Sequence, residues 1–288
     1  MGRAGRPAGI GVGVRSTAVR RVFWIGGPPG AGKTAAATRL ARRHGLRLYS
    51  ADTRTWAHRD RALAAGSAAA RRWEAMTPAE RWARPPAELL ELSLHRERAA
   101  MVVDDLRALP ASPLIVAEGS TLPPAAVATG LAGRDRAVWL IPTAALQRAR
   151  LAAAGTAPGH ARLYTLLREV IERDARVHAA PVLAVDGSQD LAATVGLLER
   201  RFAEALATGP RARTRAERRA LLREMNAALA AQVRGFHGRP WAAGDPEAVV
   251  RAFACECAAP ACEADVPVRV GELDGAPVLA PGHRAEGD

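Results

Sequence analysis

The stretch that decides the fold is Val22-Phe23-Trp24-Ile25-Gly26-Gly27-Pro28-Pro29-Gly30-Ala31-Gly32-Lys33-Thr34. An apolar run leads into a turn rich in Gly and Pro, and a helix-prone run follows at 35–41. Counted from Gly27, the spacing is G-x-x-x-x-G-K-T, which is typical of a phosphate-binding loop between a strand and a helix. The sequence therefore predicts a strand, an anion-binding turn and a helix.

Each residue type in this turn has a physical role. Glycines let backbone N–H groups converge on phosphate oxygens, and the positive end of the following helix points at the same anion. We expect Lys33 to reach the β- and γ-phosphates of ATP and Thr34 to ligate Mg²⁺. Lys33 is the only lysine among 41 Lys and Arg residues, and a compact ammonium fits a phosphate cradle better than a planar guanidinium. The predicted nucleotide-binding residues of the turn are Gly27, Pro28, Pro29, Gly30, Ala31, Gly32, Lys33 and Thr34.

The composition of the 288 residues is that of a globular protein. Aromatic residues make up 4%, so no platform for stacking bases is evident. The net charge of +12 allows nucleic acid as a partner, but no arginine run exceeds two residues, which favours solvated arginine faces. No apolar stretch is long enough to span a bilayer. We expect a cytoplasmic protein without a signal peptide, and no membrane partner.

Short apolar segments alternate with helical patterns over 21–207. The predicted strands are 21–25, 46–52, 114–117, 137–141 and 182–185. The predicted helices are 33–44, 54–66, one after a capping box at Thr77, 87–109, 123–131, 143–153, 160–179 and 191–207. Such alternation predicts an α/β fold, a parallel sheet with helices on both faces, and ligands at the carboxyl ends of the strands.

The chain divides into four predicted parts. Residues 1–20 form a disordered basic tail, and 21–207 form the nucleotide-binding domain. Residues 208–246 form a linker and an amphipathic helix that starts at a second capping box. Residues 247–288 form a small Cys/His module and a polar tail.

Two carboxylates are candidates for a role in phosphate transfer beside the loop. Asp52 follows the second strand, where it would orient the acceptor hydroxyl or accept its proton; the alternative is that it caps a helix. Glu118 ends a buried strand, where it would support the Mg²⁺ water shell or orient the acceptor; the alternative is a surface acid just past the strand.

Residues 21–207 resemble the small-molecule P-loop kinases related to adenylate, shikimate and gluconate kinases and to chloramphenicol phosphotransferase. The resemblance is carried by the turn at 27–34, Ser50-Ala51-Asp52, Ile115-Val116-Ala117-Glu118-Gly119, Arg148, Glu172-Arg173-Asp174 and Val185-Asp186-Gly187-Ser188. It implies a three-layer fold with sheet order 2-3-1-4-5, ATP·Mg²⁺ as the donor, and adenine near Asp186, Gly187 and Ser188.

The region after the fourth strand resembles the lid of such kinases. Arg148 and Arg173 are the candidates there for neutralising transition-state charge. One departure concerns Glu118, which stands where switch-type NTPases have an Asp at a strand end. That departure favours a kinase over a GTPase or a motor.

The three cysteines lie together near the end of the chain. Cys255, Cys257, Cys262 and His283 make a ligand set that suits tetrahedral zinc, although the spacing C-x-C-x₄-C is not the usual C-x-x-C. The alternative is three free thiols and a tail histidine. This region resembles a short Cys-containing module of actinobacterial regulatory proteins, which implies no activity but allows a protein partner.

The function that we expect is transfer of the γ-phosphate of ATP to a hydroxyl or phosphate of a small-molecule acceptor. Lys33, Asp52, Glu118, Arg148 and Arg173 are the predicted catalytic residues. Two alternatives stay open: an ATP-binding regulatory protein with a C-terminal module for a partner or nucleic acid, and a polynucleotide end kinase.

Overall fold

A computed structural model describes residues 21–285, so the predicted disordered tail at 1–20 lies outside the described residues. Five parallel strands form one sheet in the order β2-β3-β1-β4-β5. They are β1 (Val22–Gly26), β2 (Arg47–Ser50), β3 (Ile115–Gly119), β4 (Ala137–Pro142) and β5 (Val182–Val185). The α/β class predicted from the sequence pattern and the sheet order implied by the family resemblance are confirmed.

Twelve α-helices are found in the described part of the chain. They are α1 (Lys33–His44), α2 (Thr55–Ala64), α3 (Ala68–Ala75), α4 (Pro78–Ala83), α5 (Pro86–Leu92), α6 (His95–Ala108), α7 (Ala125–Ala128), α8 (Ala144–Ala153), α9 (Pro158–Val177), α10 (Leu191–Arg201), α11 (Ala203–Thr208) and α12 (Arg215–His237). Short 3-10 helices lie at Asp52–Arg54, Arg134–Arg136, Pro246–Ala248 and Val270–Glu272.

The central strand β1 shows how the sheet is buried on both faces. Successive side chains of a strand point to opposite faces. Val22 and Trp24 therefore join one core layer, which α6 and α9 cover, whereas Phe23 and Ile25 join the other, which α1 and α10 cover. The helices on the two faces leave the carboxyl edge of the sheet as the place where side chains from several strands meet.

The predicted long helix at 87–109 is wrong, because the chain breaks between α5 and α6. Leu94 lies at the break with φ 59°, in the left-handed region. Leu92 and Leu94 are both fully buried, yet residues two apart on one helix point about 200° away from each other. The break lets both side chains reach the core.

The predicted helix at 191–207 is also divided, at Phe202. Its ring is buried and stacks on Phe23 with 4.5 Å between the ring centroids. Helix α3 was not predicted at all. Ser67 caps it, with its hydroxyl oxygen accepting a hydrogen bond from the N–H of Ala70.

The C-terminal region packs on the sheet domain. The predicted capping box at Thr214 and Glu217 is confirmed at the start of α12. Arg47 of β2 pairs with Glu224 of α12 at 3.0 Å. Beyond α12, the antiparallel hairpin β6 (Val250–Ala254) and β7 (Asp265–Arg269) packs its buried Phe253 against α12 residues.

Candidate functional site

The turn at 27–32 joins the end of β1 to the start of α1 at the carboxyl edge of the sheet. Gly27, Gly30 and Gly32 have φ values of 138°, 84° and 83°. A Cβ at Gly27 would collide with the carbonyl oxygen of Leu140, so the turn needs glycine there. The first N–H groups of α1 have no acceptors within the helix, and they point out of its N-terminus. The turn therefore brings the unpaired N–H groups of the first turn of α1 close to Lys33.

Five side chains meet beside this turn, and we call them the Lys33 cluster: Lys33, Thr34, Ser50, Asp52 and Glu118. The Lys33 Nζ lies 3.5 Å from an Asp52 carboxylate oxygen. The Glu118 carboxylate accepts a hydrogen bond from the Thr34 hydroxyl at 3.0 Å and a second from the Ser50 hydroxyl. The sheet order explains the meeting, because β3 lies between β1 and β2 and brings Glu118 between the loop and Ser50.

In the buried Lys33 cluster, the charges of Lys33, Asp52 and Glu118 shift one another's pKa values. Burial raises the pKa of Glu118, helped by the nearby Asp52 charge, whereas Lys33 and the two hydroxyl hydrogen bonds oppose that rise. Burial lowers the pKa of Lys33, but the charges of Asp52 and Glu118 outweigh burial, and the net pKa is raised. Lys33 therefore stays protonated, and a buried ammonium keeps its charge beside the glycine turn.

The alternatives considered for the two carboxylates do not hold. Glu118 is 0% exposed, so it is not a surface acid. Helix α2 has Arg54 at its N-cap position and no side-chain cap hydrogen bond, so Asp52 does not cap it. Asp52 instead stands half exposed beside Lys33, where a bound molecule can reach its carboxylate.

Three other predicted residues or segments lie outside the Lys33 cluster. Arg148 is exposed on α8. Arg173 is exposed on α9 and pairs with Asp174 at 3.7 Å. The segment Asp186–Ser188 follows β5 at the same edge of the sheet, where the Asp186 carboxylate accepts hydrogen bonds from the Ser188 N–H and hydroxyl.

Sequence analysis missed two side chains that donate hydrogen bonds to the backbone of the glycine turn. Gln147 donates a hydrogen bond to the carbonyl oxygen of Pro29 at 2.9 Å, and Arg150 donates one to that of Gly30 at 2.9 Å. Both lie on α8, one residue before and two residues after Arg148. Arg150 contacts the loop and the exposed Arg148 does not, because residues two apart on a helix point in different directions.

A cavity of about 690 Å³ opens beside Asp52 and Pro29. Six aromatic side chains line it: Trp56, Trp73, Trp82, Tyr164, Phe236 and Trp241. Four of the six tryptophans of the chain are thus around one cavity. The sequence alone does not indicate a role for these tryptophans, although three of them fall within 56–82 in a chain with few aromatic residues. A cavity of this size and lining suits a small organic molecule.

The four predicted metal ligands come together in the C-terminal module. The sulfur atoms of Cys255, Cys257 and Cys262 and a ring nitrogen of His283 all lie within 4.8 Å of one another. Cys255 and Cys262 lie 3.4 and 3.5 Å from the His283 Nδ1. This Cys/His cluster has the number and type of ligands of a tetrahedral metal site, so it can hold a metal ion.

Two thiols of the Cys/His cluster, Cys255 and Cys257, have shifted pKa values. Burial raises the pKa of Cys255, but hydrogen bonds from the N–H groups of Ala280 and Cys257 outweigh it and bring the pKa to about 7. Burial raises the pKa of Cys257 to about 11, and the neighbouring thiols add to that rise.

Within residues 21–285, no helix combines the length and the apolar character that crossing a bilayer requires. Comparisons of the chain with protein-family models, curated proteins and solved structures find no match. A function is therefore inferred from the geometry of the side chains at the carboxyl edge of the sheet.

Proposed function

We propose that this protein is an ATP-dependent phosphotransferase that moves the γ-phosphate of ATP to a hydroxyl or phosphate of a small molecule. One observation carries the proposal. The only lysine of the chain is buried at the end of a glycine turn, 3.5 Å from a carboxylate that lines a cavity of about 690 Å³. A phosphate donor and a hydroxyl acceptor would thus meet at Asp52.

The residues of the Lys33 cluster fit ATP and Mg²⁺. Hydroxyl and carboxylate oxygens are the ligands that Mg²⁺ prefers, and Thr34 and Glu118 present both in contact. Thr34 would hold the metal, with Glu118 orienting its water shell. When bound, Mg²⁺ supplies positive charge that neutralises the phosphate oxygens. Lys33 and the N–H groups of the turn would hold the β- and γ-phosphates.

We assign to Asp52 the role of binding and orienting the acceptor hydroxyl. Asp52 would accept a hydrogen bond from the acceptor hydroxyl and hold the oxygen in line with the γ-phosphate. It would take the hydroxyl proton as the new P–O bond forms and the bond between the γ-phosphorus and the bridging oxygen breaks, which releases ADP. Arg148 and Arg173 remain proposals for lid residues that approach only when the two lid helices close over ATP. Asp186–Ser188 remains the proposed neighbour of adenine.

The cavity favours a small acceptor over a polynucleotide end. Side chains from the C-terminal part of the chain, Gln232, Phe236 and Trp241, line it together with those of α2 and α3. A site walled by both parts of the chain suits a compact molecule better than a strand that must continue in both directions. ATP chemistry also agrees with the expected cytoplasmic location.

The test is ADP release from Mg²⁺·ATP across a panel of hydroxylated aromatic compounds, sugars, nucleosides and antibiotics. We expect at least one compound to raise ADP release well above the background and to gain one phosphate by mass. Lys33→Ala should lower that rate by about 10²–10³-fold, because it removes a fixed charge aimed at the transferring group. Unchanged turnover in Lys33→Ala would contradict the proposal.

We propose that the ion of the Cys/His cluster is a structural zinc. Three thiolates and one imidazole are a common closed zinc set, and the module has a core of few buried apolar residues. Protein purified without chelator should contain about one zinc per chain. Cys255→Ser should lose it and increase hydrogen exchange over 250–283, whereas a zinc content near zero in the unmodified protein contradicts the assignment.

A further inference from the structure

The aromatic cavity carries buried positive charge with no counter-charge in contact. Arg59 and Arg81 line it and are 3% and 1% exposed. Neither forms an ion pair with a described residue. The Arg59 Nε and Nη1 and the Arg81 Nε have no hydrogen-bond partner in residues 21–285. Burying a cation without a partner is unfavourable unless something else compensates it.

The remaining charges at the cavity wall do not supply that compensation. Arg98 adds a third buried guanidinium, which donates to the carbonyl oxygen of Ala51. Asp52 is the one carboxylate that lines the cavity among the described residues, and Lys33 already pairs with it. Burial lowers the pKa of Arg59 to about 9, with nearby Arg239, Arg81 and Arg98 adding to it against Glu74. The wall is therefore a positive surface.

The aromatic rings do not form a cage for a cation. The guanidinium of Arg59 lies 4.5 Å from the centroid of Trp73, and that of Arg81 lies 4.2 Å from the centroid of Trp73 and 4.1 Å from that of Trp241. Arginines of the protein itself thus occupy these ring faces. A cationic ligand would meet like charges there, whereas an oxyanion would be attracted by the guanidinium charges.

We propose that the cavity binds an aromatic molecule that carries an oxyanion, a carboxylate or a phosphate, and that this molecule is the acceptor. Its ring packs among Trp56, Trp82 and Trp241, and its anionic group lies toward Arg59 and Arg81. A hydroxyl elsewhere on the molecule reaches Asp52 at the loop side of the cavity. The assignment of acceptor rests on the proposed function, but the binding itself does not require nucleotide.

The test is calorimetric binding without ATP, which separates this inference from the kinase proposal. The probes are a hydroxymethyl-naphthoate, its phosphonate counterpart, its neutral carboxamide and its saturated decalin carboxylate analogue. We expect at least one aromatic oxyanion to bind about 10-fold tighter than the carboxamide and the decalin compound. The carboxylate and the phosphonate together show which oxyanion the site prefers.

Substitutions assign the charge preference to the two arginines. Arg59→Met or Arg81→Met should reduce the preference for the oxyanion over the carboxamide to less than about threefold. Arg59→Lys should retain part of it, and Arg71→Met, an exposed arginine on the same helix as Trp73, should leave it unchanged. Circular dichroism checks that each variant is folded.

Three results would overturn the inference. The first is that neither aromatic oxyanion binds to the folded protein. The second is that the carboxamide binds as tightly as the carboxylate. The third is that both arginine-to-methionine variants stay folded and keep the full preference. If instead the oxyanion binds as expected but no ADP forms, the cavity assignment stands and the phosphotransferase proposal fails.

Discussion

The Lys33 cluster and the aromatic cavity lie on either side of Asp52 and treat buried charge in opposite ways. In the cluster, the buried ammonium and the buried carboxylate of Glu118 are hydrogen-bonded or paired within the protein. In the cavity, Arg59 and Arg81 are buried without an ion-pair partner among the described residues. The buried charges of the cluster have partners within the protein, whereas we propose that a bound anion supplies the counter-charge for the two arginines of the cavity wall.

This difference separates two kinds of functional residue. A balanced cluster contributes to folding and to function together, so removing one charge disturbs both. An unbalanced cation contributes to binding at the expense of stability, so removing it affects the two in opposite directions. The following changes test that distinction.

The largest effect on stability is expected from Lys33→Met. Removing the ammonium leaves the buried Glu118 carboxylate near Asp52 without compensation. Leaving a buried charge without its counter-charge in this way costs about 3 kcal/mol of unfolding free energy, and the loss should be greater at pH 8 than at pH 5, because Glu118, whose pKa is raised, is more readily protonated at the lower pH. Urea unfolding at the two pH values measures it. A variant as stable as the unmodified protein at pH 8 would show that the cluster is not balanced as described.

Arg59→Met should change the free energy of unfolding in the opposite direction to Lys33→Met. The substitution removes a buried cation that has no ion-pair partner among the described residues, and it costs one hydrogen bond to the carbonyl oxygen of Leu92 and the stacking on Trp73. We expect the free energy of unfolding to stay the same or rise by up to about 2 kcal/mol. The matched control is Arg71→Met on the exposed side of α3, which should change stability by less than about 0.5 kcal/mol. Clear destabilisation by Arg59→Met alone would remove the distinction between the regions.

Glu118→Gln tests the pH dependence inside the cluster. Because the pKa of Glu118 is raised in the folded state, its protonated form contributes stability that is complete below the ordinary value of about 4.5 and is lost as pH rises through the folded pKa. Glutamine does not ionise. The variant should therefore gain stability relative to the unmodified protein as the pH rises above about 4.5. Unfolding curves in which the unmodified protein gains instead would contradict the raised pKa.

The smallest effect concerns the support of the glycine turn. Arg150→Ala removes the hydrogen bond to the carbonyl oxygen of Gly30, which is worth about 1 kcal/mol, so ATP affinity should fall about fivefold. Arg200→Ala, at an exposed arginine of α10 away from the turn, should change it less than twofold. Titration of both variants with Mg²⁺·ATP compares them, and equal effects would mean that the contact does not order the turn.

The part of this molecule that is predictable from sequence is the part that local pattern controls. The spacing of Gly27, Gly32 and Lys33 and the short apolar strands specify a turn and a sheet edge through neighbours in the chain, and the sheet order followed from the family resemblance. Glu118 was found because it ends a buried strand, but its burial between Thr34 and Ser50 depends on the neighbouring strands.

The cavity was not predictable in the same way. Its wall joins Arg59 and Trp73, on two helices whose packing no local period reveals, to Trp241, which is far along the chain. The break at Leu94 likewise depends on where the core lies, not on the helical pattern of 87–109. The concentration of tryptophan at 56–82 was the one sequence signal, and it did not indicate that arginines would stack on those rings.

The most direct test of the central claim is a series of binding measurements with ATP, ADP and AMP on the unmodified protein and on Lys33→Ala, each in excess Mg²⁺. If Lys33 and the N–H groups of the turn hold the β- and γ-phosphates, ATP and ADP bind at least about 10-fold tighter than AMP, and Lys33→Ala removes most of that advantage. AMP binding as tightly as ATP, or an unchanged series in a folded Lys33→Ala protein, would contradict the claim.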